Sequence, residues 1–185
     1  MPGMSVCALG VGTFGPWPLP AVVTSCLHAT PNRGSPMMDA TEQRVLTREQ
    51  VVEQASGDPD LAQIKQAAER IERDVLATTG LHLNYIVQRD PHGHWWCGQG
   101  PGASLYPGDD VEAFVADLAD ALSESVSESL AGLHRLDEAR TWPRCPAHAH
   151  SLDPAVLDQV AVWRCSQDRD IAVPVGHLAT LIEST

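Results

Sequence analysis

Apolar residues recur with a helical period between positions 61 and 75, where Leu61, Ile64, Ala68, Ile71 and Val75 follow one another at steps of three and four. Such spacing gives a helix one apolar face. Asp58-Pro59 marks its start, an N-cap followed by a proline at the first helical position, where the missing N–H costs nothing. Gly80, after Thr79, predicts a left-handed C-terminal stop. Upstream, Thr47-Arg48-Glu49-Gln50 has the form of a capping box and predicts a short helix to about Ala55, ended by Ser56-Gly57. From Leu81 the period changes to two. Leu81, Leu83, Tyr85 and Val87 alternate with His82, Asn84, Ile86 and Gln88, predicting a strand with one buried face. Asp90-Pro91-His92-Gly93 predicts a turn, residues 94–97 the returning strand, and Leu105-Tyr106 a short third strand. Pro107-Gly108-Asp109 then opens the longest predicted helix, with Val111, Phe114, Val115, Leu118, Leu122, Val126, Leu130 and Leu133 on one face. Its other face carries Glu112, Asp117, Asp120, Glu124 and Glu128, which read as a solvated surface or, more sharply, a docking surface for a basic partner. Two further short strands are predicted at Val160–Trp163 and Ile171–Val173, joined by the polar turn Ser166–Asp170. The pattern as a whole is α+β: helices packed with a small antiparallel sheet.

Composition adds an asymmetry. Of 185 residues, 12 are basic and 24 acidic, for a net charge of −12, which argues against a nucleic-acid partner because phosphate binding requires a basic face. No acidic residue precedes position 39, and Arg33 is the only basic one there. Pro16, Pro18 and Pro20 forbid a continuous helix in that segment. Residues 1–38 are therefore expected to be a disordered extension, or one translated from a start placed too early, with Met37-Met38 as the true beginning. Val23-Thr24-Ser25-Cys26 has the look of a lipoprotein cleavage box, but no basic start precedes it. No run of about 18 apolar residues occurs, so no membrane span is expected, and a cytoplasmic location follows. Two further regions are expected: 39–140 as an α+β domain, and 141–185 as a C-terminal unit.

The chemistry concentrates in that last unit. Trp142-Pro143-Arg144-Cys145-Pro146-Ala147-His148-Ala149-His150 places one thiol and two imidazoles within six positions, and Cys165 follows fifteen residues later. Zinc takes four nitrogen or sulfur ligands in a tetrahedron, commonly as two close sets from two loops. Cys145, His148, His150 and Cys165 form such a set. Asp168 is an alternative fourth ligand, because Cys165-x-x-Asp168 repeats the spacing of Cys145-x-x-His148; imidazole beside thiolate favours His150. The competing reading makes Cys145 and Cys165 small buried hydrophobes, or a disulfide across a hairpin. Trp142 and Trp163, each two or three residues before a candidate cysteine, are expected to pack around the site.

The segment from Trp142 to Leu178, roughly a fifth of the chain, resembles a pattern in small actinobacterial proteins. In them a Cys-Pro-x-His-x-His segment precedes a Trp-x-Cys-Pro strand and a short closing strand with glycine. This chain has Ser166 and Ser151 where the pattern usually has proline, and neither change removes a ligand. The resemblance implies metal binding in a zinc-ribbon-like unit and carries no activity with it.

Other chemistry is weaker. Asp90-Pro-His92-Gly-His94-Trp-Trp-Cys97 could be a second metal cluster, but reads better as a polar turn beside a buried aromatic strand. Neither a nucleophile elbow nor a phosphate-binding lysine loop is present, and Gly98-Gln-Gly100-Pro101-Gly102 reads as a plain loop. A hydrolase built on His148-x-His150 would need a nearby base, for which Asp153 is the one candidate, and two thiolates would leave the metal a poor Lewis acid. The expected protein is thus non-enzymatic, with a structural zinc ion and an unidentified protein partner. A redox- or metal-responsive sensor is the alternative.

Overall fold

The computed structural model describes residues 44–183, and the readings made for residues 1–38 lie outside them. The architecture is α+β, with two antiparallel sheets and two long helices. Strand β1 (Arg44–Thr47) leads into α1 (Arg48–Gln54) and α2 (Pro59–Thr79), followed by β2 (Ile86–Arg89), β3 (Trp95–Gly98) and β4 (Gly102–Leu105). Helix α3 (Val111–Gly132) and the short α4 (Leu136–Ala139) come next. Strands β5 (Asp153–Leu157), β6 (Val160–Arg164) and β7 (Ala172–Pro174) follow, and α5 (Ala179–Glu183) closes the described chain. No helix among the described residues is long and apolar enough to cross a membrane.

Local signals explain the helix boundaries. The Asp58 carboxylate accepts the N–H groups of Asp60 and Leu61 at 3.0 and 3.2 Å, and Gly80 closes α2 at φ 73°. At α1 the Gln50 side chain accepts the Thr47 N–H at 2.9 Å.

The first sheet runs β1-β2-β3-β4, all antiparallel. Leu46, Val87, Cys97 and Ala103 are register partners in succession, and all four are buried. Because side chains alternate across a strand, this row and its neighbours Trp95 and Leu105 make one apolar face. Helices α2 and α3 pack on each other and against that face, while α3 also lies against β5 and β6 of the second sheet, ordered β5-β6-β7. A single group of buried apolar residues runs from Leu46 through Phe114 and Leu122 to Trp163 and Leu178.

Several expectations shift. The strand predicted from Leu81 is paired only over Ile86–Arg89, although Leu83, Tyr85 and Val87 are buried as the alternation requires. The third strand is Gly102–Leu105, beginning three residues before the expected Leu105-Tyr106. Gly98 and Gly102 belong to β3 and β4 and do not lie in a plain loop: a Cβ built on them would fall 2.8 and 2.3 Å from Trp96 Cζ2, so the indole lies in the space their missing side chains leave. Strands β1 and β5 were not anticipated. Asp153-Pro154 opens β5, an edge position where a proline removes no needed donor.

Glu112 is also misread as a solvated residue. Arg70 on α2 donates Nη1 and Nη2 to its two carboxylate oxygens at 2.7 and 3.0 Å, and the Ala161 N–H donates to Oε2 at 2.7 Å. The Arg70 guanidinium holds the Glu112 carboxyl below its ordinary 4.5, against the cost of burial and with help from the Ala161 N–H. A carboxylate with a depressed native pKa adds stability that is present above its unfolded value and is lost as pH falls through the native one. The stability gap between the parent and Glu112→Gln, measured by urea unfolding, is therefore expected to narrow as pH drops below about 4.5. A gap independent of pH would reject the clamp.

Candidate metal centre

Two turns carry the candidate ligands. The first is a loop closed on itself: Leu152 N–H donates to the Pro143 carbonyl at 2.7 Å, Cys145 N–H donates to the His150 carbonyl at 3.0 Å, and Arg144 pairs with Ser151 in an isolated bridge. Cys145, His148 and His150 thus project from one short closed segment. The second is the turn after β6, where Cys165 N–H donates to the Ile171 carbonyl at 2.9 Å. The Gln167 and Asp168 N–H groups both point at Cys165 Sγ, each at 3.3 Å.

These turns bring four donor atoms, one each from Cys145, His148, His150 and Cys165, within 4.8 Å of one another. His148 Nδ1 lies 3.4 Å from Cys145 Sγ and 3.3 Å from Cys165 Sγ, and His150 Nε2 lies 3.4 Å from Cys165 Sγ. Zinc–sulfur bonds of 2.3 Å and zinc–nitrogen bonds near 2.0 Å, set tetrahedrally, require donor separations of about 3.3–3.8 Å. Those three sulfur–nitrogen distances agree with that spacing. One ring nitrogen has a single hydrogen-bonding direction, so His148 Nδ1 cannot hydrogen-bond both sulfurs at once, and the cluster has the donor set to hold a metal ion. His150 Nδ1 lies 2.5 Å from the Ser151 carbonyl. That contact places the ring proton on Nδ1 and leaves Nε2 free to bind, the usual arrangement around a metal-ligating histidine.

The thiol environments differ. Burial pushes the Cys165 thiol up, but the Gln167 and Asp168 N–H groups, with Cys145 and His150, pull it below the ordinary 9.0, to about 7. Cys145 and Cys165 are almost fully buried. The Ser151 carbonyl raises the His150 pKa against the opposing cost of burial. Asp168 is not among the converging donors: its backbone N–H serves Cys165, and its carboxylate accepts the Asp170 N–H at 3.0 Å. Trp142 and Trp163 are buried and meet edge to face at 5.7 Å.

The second candidate cluster does not assemble. Asp90 Oδ1 accepts the His92 and His94 N–H groups, His94 Nδ1 lies 3.0 Å from Asp90 Oδ2, and the His94 ring meets Tyr106 at 4.6 Å, tilted by 55°. Cys97 faces the core, where burial pushes its thiol up to about 12. Among the described residues no other group of metal-ligating side chains converges.

Asp74 went unnoticed in the sequence. It is 1% exposed, and its carboxylate accepts Trp163 Nε1–H at 2.7 Å, the Gly176 N–H at 2.6 Å and the Leu178 N–H at 2.7 Å. The signal was available, since Asp74 follows Ile71 by three positions on the apolar face of α2. No protein-family model matches this chain, and neither does any curated protein or solved structure, so its chemistry is read from these side chains alone.

Proposed function

We propose that this protein is a non-enzymatic module in which one zinc ion, held by Cys145, His148, His150 and Cys165, ties the loop after α4 to the turn after β6 in a zinc-ribbon-like unit. The observation that carries this reading is the convergence of four nitrogen and sulfur donors within 4.8 Å, three of their sulfur–nitrogen pairs at 3.3–3.4 Å. Four protein ligands complete the coordination of a structural site, whereas catalytic zinc keeps a position for water. Two thiolates also neutralise the ion's charge and weaken it as a Lewis acid. The binding role falls to the surface: Asp117, Asp120, Glu124 and Glu128 lie exposed along α3 and suit a basic protein partner.

Metal analysis of the full-length chain purified without added metal tests the site. About one zinc per chain is expected, falling to near zero in Cys165→Ser and in His148→Ala. Zinc retained by both variants, or none in the parent, overturns the assignment. The proximity of the two sulfurs favours one second reading, a sensor in which peroxide joins Cys145 to Cys165 as a disulfide, with two electrons passing to the peroxide and the ion released.

A further inference from the structure

Beside the metal loop lies a groove of about 780 Å³, within the range of small-molecule sites. Its apolar wall is made by Trp142, Pro146, Ala149 and Leu178. Trp142 is held in place by its Nε1–H, which donates to the Thr78 hydroxyl at 2.9 Å. Pro146 and Ala149 alternate with the ligands Cys145, His148 and His150 along the closed segment, so whatever fixes those ligands also fixes this side of the groove.

The polar groups are unevenly balanced. Arg140 and Arg144 both line the groove, are exposed, and make no side-chain hydrogen bond or ion pair. Glu138 is there too, but its carboxylate is taken by Arg135. Asp137 is the one lining acid without a side-chain partner. In a chain of net charge −12, these two exposed guanidinium groups lie together at the edge of an apolar groove. A guanidinium presents two parallel donors that match a carboxylate.

We infer that this groove binds a small molecule with an apolar body and one carboxylate, the body against Pro146 and Ala149 and the carboxylate held by Arg140 and Arg144. The wall rests on the metal reading above, because the loop that forms it carries three of the four ligands.

Decanoate and decanol, titrated calorimetrically into the full-length chain, test the site. Decanoate is expected to bind at about one per chain, with decanol at least tenfold weaker and Arg144→Gln or Arg140→Gln lowering decanoate affinity at least tenfold. Ala149→Trp, which fills the groove from an exposed position, abolishes binding. No decanoate binding at millimolar concentration, or equal affinity for decanol and in the arginine variants, overturns the inference. Zinc content is measured on the same samples. A zinc-loaded chain that ignores decanoate refutes the groove and leaves the metal centre standing, whereas a metal-free chain refutes the centre while the arginine variants still decide the groove.

Discussion

Chelating the metal from the full-length chain is expected to lower its melting temperature by roughly 8–16 °C. An ion that binds only the folded state adds about 4 kcal/mol when its free concentration is a thousand times its dissociation constant. In a chain of this size each kcal/mol moves the melting temperature by about 2–4 °C. The loss is concentrated where the ligands sit. Without the ion, two nearly buried thiols and two imidazoles crowd within 4.8 Å with nothing between them to hold the two turns together. Thermal unfolding followed by circular dichroism, with chelator and after zinc is restored, measures the effect. Cobalt substitution supplies a second view: a tetrahedral spectrum with a thiolate charge-transfer band is expected, weakened in Cys145→Ser. Identical melting with and without chelator would sink the structural role.

Asp74→Ala is expected to cost at least about 3 kcal/mol, since it strands three buried donors at about 1–3 kcal/mol each. Burial pushes the Asp74 carboxyl above its ordinary value, and the Gly176, Leu178 and Trp163 donors oppose that shift. The carboxylate therefore bears a desolvation cost that those three bonds, with a smaller contribution from His177, oppose. Asp74→Asn recovers only part of this, because its amide oxygen can take the two donors at Oδ2 while its NH₂ group faces the Leu178 N–H. Trp163→Phe removes one donor, so its combination with Asp74→Ala should be less destabilising than the sum of the two. Urea unfolding of the four proteins reads this coupling, and strict additivity would show that the indole and carboxylate do not interact.

The α2 helix was legible because its determinants are local. Asp58, Pro59 and Gly80 act within one turn of the residues they cap, and the stripe from Leu61 to Val75 needs only its own spacing. The row Cys145-x-x-His148-x-His150 was legible for the same reason, since one short loop carries all three side chains. Strand β1 was not. Its partners lie about forty residues away in β2, and a four-residue strand carries too little periodicity to be told from the residues before a helix. Strand β5 was hidden by Asp153-Pro154, which has the form of a turn and becomes an edge strand only because β6 lies beside it.

Glu112 shows the limit most clearly. On the helix it belongs to the acidic face with Asp117 and Asp120, and no feature of the neighbouring sequence separates it from them. Arg70 and the Ala161 N–H reach it only once α2, α3 and β6 are packed together. That His150 and not Asp168 joins the cluster was likewise visible only in three dimensions, where the Asp168 N–H faces Cys165 Sγ and its carboxylate accepts the Asp170 N–H. Short-range hydrogen bonding and side-chain periodicity are written along the chain, and these specify the first three helices, the alternating strand and the cysteines and histidines of the candidate site. Pairing between distant strands, the burial of a particular acid and the meeting of two turns depend on which surfaces the helices leave for each other, and no single stretch of residues contains that information.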